Sequence, residues 1–204
     1  MIDPRQLRLI GITDDLRDGP NGLVQRAAAA VRGGATLIQV RLKHSTAREI
    51  VEVARALVHA LTVPVIINDR FDVALASGAA GVHLGADDIP VAAVRAVAPA
   101  SFIIGVSVGN EEEARATRGA DYAGIGPVYG SGSKIDAGPA IGVAEFRRLA
   151  ERVRIPAVAV GGITPLNARA IFEAGGSGVA VIRSIFAHSD PESAARNLAG
   201  ASER

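Results

Sequence analysis

The chain has 204 residues, 49% hydrophobic and 21% charged, a composition that excludes a disordered polypeptide and suffices for one domain with a substantial core. Its 22 basic and 21 acidic residues leave a formal net charge of +1, so the overall field points to neither nucleic acid nor a membrane surface, and any charged partner must be met locally. Cysteine is absent, which removes disulfides, thiolate metal sites and cysteine nucleophiles and fits a reducing compartment.

The opening MIDPRQLRLIGIT mixes charged with apolar residues, from which we expect neither a signal peptide nor a membrane span, and so a cytoplasmic protein. Eight short apolar, β-branched runs then follow in order: Leu7 to Thr13, Thr36 to Leu42, Val63 to Asp69, Ala80 to Gly85, Ser101 to Ser107, Asp121 to Val128, Ile155 to Gly162 and Ser177 to Ser184. Between them lie helical stretches such as GLVQRAAAAVRGG and AREIVEVARALVHAL, often closed by a GG or GA pair suited to a helix C-terminus. Eight strand-helix units averaging roughly 25 residues match a compact α/β fold, the (β/α)8 TIM barrel, as a single domain over residues 1–204. An open doubly wound sheet is the competitor. Polar residues gathered at the C-terminal ends of the runs, among them Thr13, Asp14, Arg41, Lys43 and Asn68 to Arg70, favour the barrel, whose active sites lie on that face.

Strand alternation over Ile38 to Lys43 sets Gln39, Arg41 and Lys43 on one side and Ile38, Val40 and Leu42 on the other. Two cations directed into a barrel mouth call for an anion; the alternative is a strand end with solvated charges. Asp69 and Asp88 follow neighbouring runs, and two carboxylates plus substrate phosphate oxygens suit Mg2+. Singly, Asp69 reads equally well as a helix N-cap and Asp88 as a first-turn carboxylate before Pro90. His83 reads as a satisfied strand histidine, and His44, His59 and His188 receive no role. After the seventh and eighth runs, VGGIT (Val160 to Thr164) and VIRS (Val181 to Ser184) stand where this fold binds phosphate through backbone N–H groups. Arg41, Lys43 and Lys134 could balance a pyrophosphate while Asp69 and Asp88 offset one Mg2+.

GITD, Gln39-x-Arg41-x-Lys43, Ile67-Asn68-Asp69-Arg70, GVHLGADD, GVS, GIGPVYGSGSK and AVGGI occur in that order along nearly the whole chain. As an ordered set the sequence resembles the thiamine phosphate synthase (thiamin-phosphate pyrophosphorylase) family. The resemblance implies a (β/α)8 enzyme, a transferase that joins a hydroxymethylpyrimidine diphosphate to a thiazole phosphate, plain or carboxylated, and releases pyrophosphate. It implies Asp69 and Asp88 as Mg2+ ligands, and Arg41, Lys43, Ser107 and Lys134 as pyrophosphate contacts. Gln39 and Asn68 would meet the aminopyrimidine, and Ser131, Ser133, Gly162, Ile182 and Arg183 would surround the thiazole phosphate. The chemistry it implies is dissociative: leaving-group stabilisation replaces a protein nucleophile.

The chain departs from the family pattern at Ser131 and Ser133, where threonines are usual, at Val108-Gly109-Asn110, where a small residue and His-Thr are usual, and at Arg183, where serine is usual. A thiazole tautomerase-like relative and a non-catalytic phosphate-binding barrel are the rival readings; both carboxylates facing three cations argue against them. The expected partners are small molecules, with no nucleic acid and no membrane, and a homo-oligomer is left open. Gly130 to Lys134, after the sixth run, divides no domains, so it reads as a substrate-touching loop, expected to order over the site when both substrates are bound.

Overall fold

A computed structural model describes residues 2–130 and 138–201. A 3-10 turn, Pro4–Leu7, leads into β1 (Leu9–Ile12), and the chain then alternates through α1 (Gly19–Arg32), β2 (Leu37–Val40), α2 (Ala47–Ala60), β3 (Val65–Asn68), α3 (Phe71–Ser77), β4 (Gly81–Leu84), α4 (Val91–Val97) and β5 (Ile103–Val108). It continues through α5 (Glu111–Arg115), β6 (Tyr122–Ile125), α6 (Gly142–Val153), β7 (Ala157–Val160), α7 (Ala168–Glu173), β8 (Gly178–Val181), α8 (Arg183–Phe186) and α9 (Pro191–Gly200). Every strand is parallel to its neighbours and they close in chain order. Closure is made by β1 against β8, with Leu9 opposite Val179, Ile10 opposite Ala180 and Gly11 opposite Val181. This pairing rules out the open doubly wound sheet.

All eight runs read from the sequence contain a strand, but most strands keep only the central four residues. Except in β5, which continues through Ser107 to Val108, the polar and glycine-rich C-terminal ends of the runs leave the ladder as βα loops. One consequence corrects the reading of β2: the strand ends at Val40, so Arg41 and Lys43 lie beyond it. The eighth unit also carries two helices, the single turn α8 and then α9.

The helices follow amphipathic spacing. In α2, Ile50, Val53, Ala54 and Leu57 are buried, a stripe at i, i+3, i+4 and i+7. Thr46 caps its N-terminus and Glu49 reaches back to the Thr46 backbone, a reciprocal capping box. At the end of α3, Gly78 takes the left-handed conformation (φ 72°) that glycine adopts without strain. Two apolar layers result: an outer one between strands and helices, and an inner one in which Leu7, Ile10, Leu37, Ile66, Ile103, Tyr122 and Val158 fill the barrel. Among the described residues no helix is long and apolar enough to cross a membrane.

Burying a large apolar side chain contributes about 1.5–3 kcal/mol, so the inner stripe of α2 outweighs its cap. Thr46→Ala should therefore cost only about 1 kcal/mol, read as a lowered urea midpoint with an unchanged denaturant slope.

Candidate functional site

A cavity of about 640 Å³ opens at the C-terminal ends of the strands. Its floor includes the inner-core residues Ile10, Ile12, Tyr122, Val158 and Ala180. Of the residues singled out in the sequence, Gln39, Arg41, Asn68, Ser107, Gly162, Ile182 and Arg183 line it together. Lys43 is exposed beyond β2 and is not part of the cavity wall. Lys134, Ser131 and Ser133 lie outside the described residues, although Gly130 and Gly138 on either side of that segment both line the cavity.

Gln39 and Arg41 are almost wholly buried, 4% and 8% exposed, so alternation carries inward past the strand's last residue. The backbone of Arg41 is fixed by Thr13: its N–H donates to Thr13 Oγ1 at 2.8 Å, and that hydroxyl donates to Arg41 O at 3.3 Å. Gln39 Nε2 donates to Asn68 Oδ1 at 2.6 Å, across the β2–β3 pair. With the amides oriented by this bond, Gln39 keeps its carbonyl oxygen and Asn68 its NH2 for a ligand.

The two aspartates stand at the ends of β3 and β4 but outside the cavity wall, which takes Asp87 instead. Asp69 has φ 63°, the left-handed region, and its N–H donates to His83 O at 2.8 Å. It is not the cap of α3, whose N-cap is Arg70. Asp88 is not a first-turn residue either, since α4 is capped by Pro90; its Oδ2 accepts from Gly85 N at 2.6 Å and closes the loop on itself. With Oδ1 not used in that bond, the two carboxylates are hard oxygen donors of the kind Mg2+ takes. The fit lies in donor chemistry, since no group of three or more metal-ligating side chains forms among the described residues.

On β4, β5 and β6 a polar line crosses the floor. His83 Nδ1 lies 2.9 Å from Tyr122 Oη, and His83 Nε2 lies 3.1 Å from Ser107 Oγ. The reading of His83 as a satisfied strand histidine holds. Both rings sit where strand glycines make room. A Cβ on Gly105 would come within 2.3–2.5 Å of the Tyr122 ring and hydroxyl, and one on Gly124 within 2.9 Å of His83 Cε1. Sequence reasoning missed Tyr122 because it stands among the apolar residues of the sixth run, and the glycine that makes room for it, Gly105, comes opposite it only through the β5–β6 pairing.

The β7 and β8 loops form the other wall. Gly161 and Gly162 have φ 98° and 62°, and a Cβ on Gly162 would meet Gly130 O at 2.6 Å, so this turn packs directly on the loop after β6. Asn167 holds it, accepting from Thr164 N at 2.8 Å and donating to Gly162 O at 3.0 Å. Ser184 Oγ donates to Ile163 O at 2.5 Å and ties it to α8. The N–H groups of Gly162 and Ile163 have no acceptor among the described residues, which suits an anion. Arg183 is exposed at this rim, and its side chain makes no hydrogen bond or ion pair with the described residues. Arg17 and Arg26 both donate to the Phe186 carbonyl at the far end of α8, and Arg26 also pairs with Asp14 at 2.8 Å. The loop after β1 thereby fixes the helix that presents Arg183.

A family model described as thiamine monophosphate synthase matches residues 9–185. A thiamine-phosphate synthase of Methanospirillum hungatei is 45% identical over 193 residues, 92% of this chain and 94% of that one. One of Xanthobacter autotrophicus is 46% identical over 206 residues, 98% of each chain. The solved thiamine phosphate pyrophosphorylase of Pyrococcus furiosus superposes with a TM-score of 0.87 at 36% identity, covering 98% of this chain and 97% of that one.

Burial raises the ionisation of Tyr122 far above its ordinary value of 10.0, so the folded state holds the phenol neutral. The unfolded chain ionises first; the stability this contributes is complete below about pH 10 and is lost as pH rises above it. In an alkaline titration, one of the two tyrosines should gain tyrosinate absorbance only together with loss of circular dichroism.

Proposed function

Because the chain belongs to the thiamine monophosphate synthase family, we propose that its cavity joins a hydroxymethylpyrimidine diphosphate to a thiazole phosphate, plain or carboxylated, giving thiamine phosphate and pyrophosphate, with carbon dioxide released as well when the thiazole is carboxylated. That the chain is a transferase of thiamine biosynthesis follows from the family; the substrates, the metal and the residue roles are our reading. One observation carries it: an amide pair, a nearly buried arginine, a serine and a turn with open N–H groups converge on one cavity.

The Gln39–Asn68 pair offers a carbonyl oxygen beside NH2 donors, complementary to an amino group beside a ring nitrogen, and so suits the aminopyrimidine. Arg41 and Ser107 on the same side suit the diphosphate, with Lys43 and Lys134 completing its charge balance. Across the cavity, the Gly162 and Ile163 amides, the backbone at Ile182 and the side chain of Arg183 suit the thiazole phosphate, with Ser131 and Ser133 as hydroxyl donors. Where the family usually has serine, Arg183 adds a cation to that wall.

The reaction we assign is a dissociative substitution. The C–O bond to diphosphate breaks with both electrons leaving on oxygen; the remaining pyrimidinylmethyl cation is captured by the thiazole nitrogen lone pair. No proton moves to a protein base and no protein nucleophile is required. The residues hold the two rings in line and disperse leaving-group charge. Asp69 and Asp88 would hold Mg2+, which when bound neutralises charge on the departing diphosphate.

Purified protein incubated with Mg2+ and both substrates should form thiamine phosphate and pyrophosphate in equal amounts; folded protein that binds the thiazole phosphate yet yields no product would defeat the reading. Asp69→Ala and Asp88→Ala should each lower turnover on the order of a hundredfold or more while circular dichroism stays native. Wild-type rates in both variants across Mg2+ concentrations would show the metal assignment to be wrong.

A further inference from the structure

The polar line across the floor has a direction. Tyr122 is 1% exposed, and a buried phenol O–H must donate or lose the free energy of an unmade hydrogen bond. Among the described residues the acceptor within reach is His83 Nδ1, at 2.9 Å. A ring nitrogen that accepts carries no proton, so in the neutral imidazole the proton resides on Nε2. Nε2–H then donates to Ser107 Oγ at 3.1 Å. Ser107, its oxygen engaged as acceptor, is left with its own O–H to donate into the cavity it lines.

We propose that Tyr122 and His83 are positioning residues: the Tyr122 hydroxyl fixes His83 as its Nε2–H tautomer, and His83 thereby turns Ser107 into an obligatory donor toward a bound anion. The opposite tautomer would reverse every bond. Nδ1–H would donate to Tyr122, stranding the phenol proton, and Ser107 would donate to Nε2, offering an anion only its lone pairs. The line is built into the strands rather than fortuitous. Gly105 and Gly124 give the two rings their places, with ring centroids 5.5 Å apart. Ser107 is in register with Gly124, the position over which the imidazole lies. The anion the serine meets, the leaving diphosphate, rests on the reading given under Proposed function; the tautomer does not.

The test has an arm independent of turnover. Nitrogen-15 spectra of the histidine-labelled protein, with His83 assigned by its loss in His83→Gln, should show a pyridine-type Nδ1 and a pyrrole-type Nε2 with no substrate present. In Tyr122→Phe the same spectrum should shift toward the other tautomer, and kcat/KM should fall roughly tenfold to a hundredfold, the range of one hydrogen bond to a charged group. In the Ser107→Ala background Tyr122→Phe should lower kcat/KM no further. A pyrrole-type Nδ1 in the wild type, an unchanged tautomer in Tyr122→Phe, or additive losses in the double variant would overturn the proposal. Should Tyr122→Phe not fold, Ser107→Ala decides: the Nε2–H tautomer is retained if the phenol dictates it, and lost if the serine does. Weaker binding of magnesium pyrophosphate by Ser107→Ala than by the wild type is expected, and equal binding would overturn the anion-donor step. A tautomer as proposed in a protein that makes no thiamine phosphate would instead count against the assigned reaction alone.

Discussion

Eight parallel strands wound into one closed ring leave an interior that side chains must fill from within, and here the apolar filling lies mainly toward the N-terminal side. Leu7 reaches in from the 3-10 turn ahead of β1, and Ile10, Leu37, Ile66, Ile103 and Val158 complete the layer. The close fit at that end is plain at Gly178, where a Cβ would fall 1.8 Å from Leu7 O. Above this layer the inward positions pass to Gln39, Asn68, His83 and Ser107, and the space becomes a cavity. The boundary between plug and cavity is Tyr122, whose ring belongs to the apolar layer and whose hydroxyl belongs to the polar one. A phenylalanine would fill the same volume, but it would leave His83 without the partner that decides which nitrogen holds its proton.

Much of this was legible because periodicity reports on burial. The eight runs reveal themselves because parallel barrel strands are covered on both faces and read as apolar throughout; their ends do not, because Arg41 and Ser107 both read as polar run ends, yet Arg41 lies one residue past β2 and Ser107 inside β5. Gln39 and Arg41 were found because a period of two survives one residue past the strand. Lys43, two residues further on, was not held to the same face, since beyond β2 no ladder enforces alternation. Asp69 and Asp88 were legible as a pair at adjacent strand ends. What the chain's pattern could not say is that Asp88 turns back to its own loop through Gly85, a bond set by loop geometry and not by any repeat. The floor was the least legible part. Gly105 and Gly124 look like breakers in strand sequences, whereas their meaning, space for a phenol and an imidazole from neighbouring strands, exists only once three strands are side by side.

The two walls of the cavity differ in how they meet charge, and the difference follows from their construction. The β2–β5 side uses side chains on strands or one residue beyond them, rigid supports of the kind suited to holding a ligand in one orientation. The β7–β8 side uses backbone: a glycine pair in left-handed conformations, pinned by Asn167 and Ser184, with the Gly162 and Ile163 amides left without an acceptor among the described residues. Backbone amides cannot be misplaced by rotamer changes and add no net charge, so they suit an anion that must stay put, whereas arginine suits one whose charge grows as a bond breaks. Arg183 breaks this division by putting a full charge on the amide wall. Because α8 is held from its far end by Arg17 and Arg26 through the Phe186 carbonyl, the placement of that cation depends on the loop after β1, on the opposite side of the strand closure from β7. The closing pair of the ring, β1 with β8, therefore also links the first loop of the sequence to the last wall of the site.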